Sequence, residues 1–257
     1  MLTVLSPAKT LDFDADPPAV ARSQPRLIHR TETLVDTLKG YSPSRLAELM
    51  SISDKLATLN HGRFQDFEIP HPPRGTMPAV FAFRGDVYRG LSADDWTPKQ
   101  IDVADQSLRI LSGLYGVLRP LDAILPYRLE MGTALPVETF KQLYEFWGND
   151  IQSVIRSDMT ASKSKILLNL ASNEYFKSVR ATELDVPIIA PAFKELRDGV
   201  PKMITIYAKI ARGTMASWVI RNRVRTLAKL KTFAEDGYQY SAKHSTDTVP
   251  VFVRHPK

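Results

Sequence analysis

Short runs of apolar residues recur along this chain with helical patterns between them, and this alternation restricts the folds open to it. The runs MLTVL, PAVFAF, KILLNL, VPIIAPAF and MITIYA begin at residues 1, 78, 165, 186 and 203. Continuous apolar runs of this length are typical of strands that are covered on both faces. We therefore predict a short strand at each run. The prolines of VPIIAPAF suit an edge strand or a short one.

The segments between these runs have apolar residues three and four positions apart, which is the spacing of amphipathic helices. Such patterns cover residues 31–64, with a break near Gly40, and residues 137–159 and 211–233. The mixture predicts an α/β fold in which helices surround a mixed sheet. The 257 residues are expected to form a single large domain, because predicted strands lie on both sides of each proline-rich stretch. An alternation of Tyr, Val and Phe near the C-terminus indicates a closing hairpin.

The composition excludes several classes of site. The chain has no cysteine, so it can form no disulfide, thiolate zinc site or cysteine-ligated iron–sulfur cluster. Its N-terminus lacks the features of a secretory signal, and no apolar stretch approaches the ~18 residues of a membrane span. These features predict a cytoplasmic protein without a membrane partner. The formal net charge of +6 is compatible with a polyanionic partner. The sequence does not indicate an oligomeric state.

Positively charged side chains follow four of the predicted strands. The segments SPAKTLD, RGDVYRGL, ASNEYFKSV and KIARGTM come directly after the runs that begin at residues 1, 78, 165 and 203. Because ligands of open α/β sheets bind outside the carboxyl ends of the strands, we expect these segments to share one cationic cleft. Such a cleft suits phosphate or carboxylate groups. Its predicted anion-binding residues are Ser6, Lys9, Arg84, Asp86, Asn173, Lys177, Lys209 and Arg212.

Each of these segments also has a plainer interpretation. Loops are generally polar, so any one of the strand ends could be an ordinary turn. Asp86 either orients a neighbouring arginine toward a ligand or forms a local ion pair with it. Lys55 either enters the cleft or is a solvated helix residue. Arg128 either clamps a substrate or forms a buried pair with Glu130, two positions along the chain.

The segment LRILSGLYGVLRP places Gly113 and Gly116 inside an apolar run. Glycine permits backbone conformations closed to other residues, and without a side chain its N–H group is accessible. Two helices joined by such a hairpin would present these amides to a phosphate oxygen, with Arg109 and Arg119 adding charge from either side. This interpretation predicts a helix-hairpin-helix element. A plain glycine bend is the alternative, because that motif usually has one residue between its glycines and this chain has two.

Sequence templates for metal binding and for nucleophilic catalysis do not occur in this chain. The five histidines are scattered, and no HExxH, GxSxG, GxxxxGK[ST] or GxGxxG pattern is present. We therefore expect no metal site and no cofactor. If the chain is an enzyme, its catalytic residues are unknown. Lys9 and Lys177 are then the candidates for a base or a nucleophile, with Ser6, Asp86 or Glu174 in support.

Eight blocks of the sequence, taken in order, resemble the YaaA peroxide-stress protein family. They are SPAKTL, SDKLA, GDVYRGL, LSGLYGVLRPLD, PYRLEMG, LYEFWG, NLASNEYFKSV and YAKIARGTM, and they span residues 6 to 215. The resemblance implies a cytosolic bacterial protein that is associated with survival of hydrogen peroxide and with limiting free intracellular iron. It implies a family-specific single-domain α/β fold that binds double-stranded DNA through a basic surface with a helix-hairpin-helix-like element. That element best matches residues 111 to 118, and the residues implied to line the nearby cleft are Ser6, Lys9, Lys55, Lys177, Lys209 and Arg212.

These observations support two main hypotheses about function. The first is DNA binding through phosphate contacts with little base specificity, which predicts an affinity that falls steeply with salt. The second is an enzyme that acts on a phosphorylated or carboxylated small molecule in the strand-end cleft. Direct iron binding is a third hypothesis, for which the chain offers only carboxylates and dispersed histidines as ligands.

Overall fold

The apolar run at the N-terminus forms the middle strand of the main sheet. In the computed structural model, which describes residues 1–15 and 18–256, Leu2–Leu5 is a strand buried at every position. It pairs in parallel with Leu108–Ser112 on one side and with Leu167–Asn169 on the other. A strand that is covered on both faces and paired at both edges needs apolar side chains facing both ways. The run MLTVL provides them.

The other strands complete this sheet and form smaller ones. The strands are β1 Leu2–Leu5, β2 Thr10–Leu11, β3 Met77–Pro78, β4 Phe83–Arg84, β5 Leu108–Ser112, β6 Gly116–Leu118, β7 Ala123–Ile124, β8 Leu167–Asn169, β9 Ile188–Ile189, β10 Ala192–Arg197, β11 Val200–Lys202, β12 Gln239–Tyr240 and β13 Val251–Arg254. The main sheet has the order β6-β5-β1-β8-β9 and is parallel except for β6. A second mixed sheet has the order β11-β10-β13-β12, and the pairs β2-β4 and β3-β7 are antiparallel.

Helices cover the sheets, as the sequence predicts. They are α1 Ile28–Lys39, α2 Pro43–Met50, α3 Asp54–Gln65, α4 Ala79–Ala82, α5 Asp86–Leu91, α6 Pro98–Ser107, α7 Leu143–Trp147, α8 Asp150–Ala161, α9 Asn173–Phe176, α10 Thr205–Arg221 and α11 Leu227–Leu230. Side-chain caps fix several of their starts; Ser53, for example, accepts a hydrogen bond from the backbone of Leu56 at the start of α3. The α/β prediction is confirmed. In the described part of the chain, no helix combines the length and the apolar character that crossing a membrane requires.

Two of the predicted strands are wrong. The run PAVFAF contains the end of β3, one helical turn (α4) and the start of β4, and the run MITIYA contains the start of α10. Residues 79–83 are buried on every side, so their hydrophobic pattern has no period that separates a strand from a helix. The strands predicted at residues 1, 165 and 186 are confirmed, and VPIIAPAF divides between β9 and β10 in different sheets. The closing hairpin is confirmed as the antiparallel pair β12-β13.

The predicted helix-hairpin-helix is instead a β-hairpin. Strands β5 and β6 pair in antiparallel register, and the turn residues Leu114 and Tyr115 are fully buried. A Cβ added at Gly113 would lie 2.3 Å from the carbonyl oxygen of Leu129. At Gly116, where φ is +68°, it would lie 2.9 Å from the Trp147 ring. The glycines therefore serve close packing and a left-handed turn, and they present no amide to a ligand.

His71 packs beneath this hairpin and forms two buried hydrogen bonds. Its Nδ1 lies 2.8 Å from the carbonyl oxygen of Glu68, and its Nε2 lies 2.9 Å from the hydroxyl oxygen of Tyr115. A carbonyl oxygen can only accept, so Nδ1 carries the proton and Nε2 accepts from Tyr115. Burial lowers the pKa of His71, although the hydrogen bond to Glu68 opposes that effect. The folded protein therefore holds this imidazole neutral.

We expect the stability of the fold to fall as the pH drops below about 6.5, the ordinary pKa of histidine. In that range the unfolded chain binds a proton at His71 that the native state does not bind, so acidification favours unfolding. The slope contributed by one such group reaches at most about 1.4 kcal/mol per pH unit. Urea unfolding at a series of pH values checks this. The variant His71→Asn should lose less stability than the wild type between neutral pH and pH about 5.5, and parallel curves would contradict the prediction.

Candidate functional site

A cleft of about 410 Å³ opens where the chain leaves β1. Four segments and the side chain of Glu130 form its walls; the segments are the loop after β1, the turn from β4 into α5, the loop after β8, and the first turns of α10. Because β1 and β8 are parallel neighbours, their loops meet at the same edge of the sheet. The other two segments are delivered by helices. The predicted site residues that line the cleft are Ser6, Lys9, Arg84, Asp86, Lys209 and Arg212.

Hydrogen bonds fix the two loops at the sheet edge to each other. The backbone N–H of Ser172 donates to Ser6 Oγ over 2.8 Å, and the Ser6 hydroxyl donates to Ser172 Oγ over 3.3 Å. The hydroxyl of Tyr88, on α5, donates to the carbonyl oxygen of Ser6 over 3.0 Å. The proton of the Ser6 hydroxyl is therefore already used within the protein. The hydroxyl proton of Ser172 has no acceptor among the described residues, so it is available to a ligand.

Helices α5 and α10 touch at the level of their backbones. A Cβ added at Gly213 would lie 1.8 Å from the carbonyl oxygen of Val87, and one added at Gly90 would lie 2.1 Å from that of Ile210. Only glycine allows the two helices to approach this closely. The crossing brings Asp86, at the start of α5, and Arg212, on α10, to the same cleft.

Several charges of the cleft neutralise one another. Lys9 Nζ lies 2.8 Å from Glu130 Oε2. Arg84 pairs with Asp12 and with Asp94, at 3.3 and 3.1 Å, and Asp86 pairs with the exposed Arg89. Lys9 is 64% exposed and water screens it, so its pair contributes little to stability. The local ion pair considered for Asp86 is therefore present.

Lys209 and Arg212 differ from the other cations of the cleft. Neither forms an ion pair or a hydrogen bond with any residue in the described ranges 1–15 and 18–256. Arg212 is also partly buried, and burial lowers the pKa of its guanidinium. A guanidinium stays charged even so, and a partly buried charge without a partner is unfavourable. A bound anion would offset this cost, which makes Arg212 the strongest indication of a ligand in the cleft.

Apart from the hairpin residues, four predicted residues lie outside the cleft lining. Arg128 lines a small adjoining cavity, where it lies 3.4 Å from Glu130. The other three, Asn173, Lys55 and Lys177, are exposed, and the ammonium of Lys177 stacks 4.7 Å from the ring centroid of Tyr144. Sequence spacing places residues on a segment but does not fix the direction in which a side chain leaves it.

The charged residues beside the hairpin are tied to other parts of the protein. Arg109 is only 4% exposed, and its Nε donates to Asp158 Oδ2 over 2.6 Å. Arg119 donates from Nε to the buried Asp122 over 3.0 Å and also bonds the carbonyl oxygen of Gln24. Both arginines therefore connect segments of the fold, and neither borders the cleft.

The sequence did not single out four polar residues that line the cleft, namely Thr10, Tyr88, Ser172 and Tyr175. Ser172 is the second residue after the run KILLNL, and that position could have identified it. Tyr88 and Tyr175 are aromatic residues in otherwise polar segments, a pattern that does not separate a cleft wall from the core. Among the residues that the structure describes, no group of three His, Asp or Glu side chains is placed to hold a metal ion.

The whole chain is similar to known proteins. The family model described as peroxide stress protein YaaA matches residues 1–244. A UPF0246 protein of Shewanella amazonensis is 47% identical over 254 residues, which cover 99% of each chain. A UPF0246 protein of Alcanivorax borkumensis is also 47% identical over 254 residues, covering 99% of this chain and 98% of the relative. The similarity therefore includes every segment that forms the cleft.

Proposed function

Because this chain belongs to the peroxide stress protein YaaA family, we propose that it acts in the cytoplasm during hydrogen peroxide stress by binding double-stranded DNA. The cleft at the end of β1 holds a phosphate group of the DNA, with Lys209 and Arg212 as its main contacts. Lys9 and Arg84, which are also paired with carboxylates, add positive charge beside the phosphate, and Ser6 holds Ser172 in position. A role in limiting free intracellular iron belongs to the same proposal.

One observation carries the proposal: two cations without partners in the described structure, Lys209 and Arg212, line one cleft. Phosphate binding supplies the missing counter-charge, and the planar guanidinium can hold two phosphate oxygens at once. The overall charge of +6 would draw a polyanion toward the protein. Contacts of this kind go to phosphate oxygens, which are the same for every base, so we expect little sequence preference.

DNA affinity should fall steeply as salt concentration rises, with a log–log slope of about −0.9 for each phosphate that is neutralised. Arg212→Gln should weaken binding about tenfold and make the slope less steep by about one, because one phosphate contact is lost. Fluorescence anisotropy with a short duplex over a salt series measures both quantities. Lys99→Gln, an exposed cation on α6 away from the cleft, is the matched control and should change neither. The proposal would be contradicted if DNA affinity did not change with salt concentration. It would also be contradicted if the salt dependence of Arg212→Gln had the same slope as that of the wild type.

The role in iron limitation needs a separate measurement. Cells that lack this protein should contain more chelatable iron after peroxide treatment, and the wild-type gene should restore the lower level. If the DNA-binding cleft is responsible, the Arg212→Gln gene should fail to restore it. Restoration by that variant would separate iron limitation from the cleft.

The size of the cleft favours a second candidate, an enzyme that acts on a small phosphorylated or carboxylated molecule. About 410 Å³ lies within the range of roughly 300–1,000 Å³ that is usual for small-molecule sites. The ion pair of Lys9 with Glu130 would supply the acid–base groups. A thermal-shift screen against nucleotides and metabolites tests this candidate, because a specific ligand stabilises the native state. A metabolite shift that Lys9→Ala abolishes while DNA binding persists would favour the enzyme.

A further inference from the structure

We infer that the cleft selects a terminal phosphate monoester, such as the 5′-phosphate of a DNA end, over the internal phosphodiesters of a DNA backbone. This inference rests on the proposed function and specifies which phosphate the cleft takes. The same chemical group occurs at DNA ends and in free nucleotides. The experiment below therefore includes an arm for each source.

The first argument is access. The cation with the strongest need for a partner, Arg212, is partly buried and lies in a recess of about 410 Å³ with walls from four segments of the chain. An internal phosphodiester of a duplex continues into a sugar on both sides and lies on a convex surface. A terminal phosphate is attached on one side only, so it can project into a recess. The partial burial of Arg212 in this recess therefore favours a phosphate at the end of a DNA strand.

The second argument is charge. Lys209 and Arg212 carry two positive charges and form no ion pair with any residue in the described ranges, while one carboxylate of the same lining, Glu174, has no cationic partner there. A phosphate monoester has a second pKa near 6 and carries a charge of about −1.5 to −2 at pH 7. A phosphodiester carries only one negative charge. The monoester therefore supplies about one negative charge for each of the two cations, whereas the diester supplies one for both.

The third argument is the supply of hydrogen-bond donors. The Ser172 hydroxyl lines the cleft and has a proton with no acceptor among the described residues, since Ser6 already donates to its oxygen. A monoester presents three terminal oxygens that accept strongly, one more than the two non-bridging oxygens of a diester. The donors Arg212, Lys209 and Ser172 can then each have an oxygen to contact.

The fourth argument is the set of carboxylates in the same lining. Asp86, Glu130 and Glu174 all border the cleft, and Glu174 Oε1 accepts the backbone N–H of Gly132 over 2.9 Å. An internal phosphodiester has a charged neighbour on each side along the strand, and both would approach these carboxylates. A terminal phosphate has one such neighbour. Repulsion between these carboxylates and the flanking phosphates of the strand is therefore weaker at an end.

The test compares blunt duplexes of one sequence that carry either 5′-phosphates or 5′-hydroxyls, together with closed circular DNA as a competitor without ends. We expect the phosphorylated duplex to bind about tenfold more tightly than the hydroxyl duplex, because a charge-assisted contact is gained. Arg212→Gln and Ser172→Ala should each reduce this ratio, and Lys99→Gln should leave it unchanged. Circular dichroism melting of each variant verifies that it is folded. Thymidine 5′-monophosphate and thymidine form the small-molecule arm, read by thermal shift.

Each outcome decides between the inference and the proposed function. If the wild type binds the 5′-phosphorylated duplex more tightly than the hydroxyl duplex, and Arg212→Gln removes this difference, the inference and the proposed function are both supported. Equal binding of the two duplexes by the wild type overturns the inference but leaves DNA binding in place. If no DNA binds and the monophosphate, but not thymidine, stabilises the wild type in an Arg212-dependent way, the inference holds for a free nucleotide and the DNA proposal fails. If neither DNA nor the monophosphate binds, both are overturned.

Discussion

Asp158→Ala should destabilise the protein by about 3–5 kcal/mol, which is the cost expected when one partner of a buried ion pair is removed. Asp158 accepts hydrogen bonds from two arginines at once: Arg26 contacts both of its oxygens, at 2.7 and 2.8 Å, and Arg109 donates to Oδ2 over 2.6 Å. Burial alone would raise the pKa of Asp158, but the two arginines outweigh burial and hold the pKa below its usual value. Without this carboxylate, the buried Arg109 keeps its charge and loses its counter-ion.

Denaturant unfolding of the wild type and the variant measures this loss. Asp94→Ala is the matched control, because it also removes a carboxylate that pairs with an arginine, Arg84, but its side chain is 62% exposed. We expect a change below about 1 kcal/mol for this control, as for most surface ion pairs. Equal effects of the two substitutions on the free energy of unfolding would show that burial does not govern how much the Asp158–Arg109 pair contributes to stability.

Gly213→Ala should destabilise the fold by about 2 kcal/mol, even though alanine is the better helix former. In an exposed helix interior the substitution would gain about 1 kcal/mol. At Gly213 the new Cβ would lie 1.8 Å from the carbonyl oxygen of Val87, a backbone atom that can move only if α5 moves. Overpacking of this kind costs about 3 kcal/mol at the upper end of its usual range, so the cost exceeds the gain. The displaced α5 should also weaken phosphate binding, because Asp86 and Val87 line the cleft.

The control for this substitution is Gly62→Ala, on α3. A Cβ at Gly62 would meet no atom within 4 Å, so only the gain in helix propensity applies. We expect this variant to be more stable than the wild type by up to about 1 kcal/mol. Thermal or urea unfolding of the two variants should therefore give shifts of opposite sign. Stabilisation by Gly213→Ala would contradict the close contact between α5 and α10.

The glycine hairpin at residues 113–116 illustrates where sequence reasoning fails. Two glycines near arginines are equally compatible with a phosphate-binding helical hairpin and with a tightly packed β-hairpin. The difference lies in Leu129, Trp147 and Leu27, which are distant in sequence and press against the glycines. Substitutions at Gly113 or Gly116 would disturb this packing. They are therefore poor tests of DNA binding.

The predicted cleft illustrates partial success. The loops after β1 and β8 do meet at one edge of the sheet, as consecutive apolar and cationic segments predicted. The segments with Arg84 and Lys209 also reach the cleft, but they do so on or beside helices that the apolar pattern assigned to strands. For the loops after β1 and β8, both the predicted position and the reasoning therefore agree with the structure. For the segments with Arg84 and Lys209 the position agrees, but the reasoning from strands was wrong.

Local patterns in the sequence suffice to predict the α/β class, the strands β1 and β8, and the positive segments that follow them, because each depends on residues adjacent in the chain. Which of the positive charges in the chain are free depends on how remote segments pack together. Lys9, Arg84 and Arg109 form ion pairs with carboxylates that lie 121, 72 and 49 positions away in the sequence. Lys209 and Arg212 form none with the described residues. Ion pairing depends on distances of a few ångströms between remote segments, and no local pattern in a sequence records those distances.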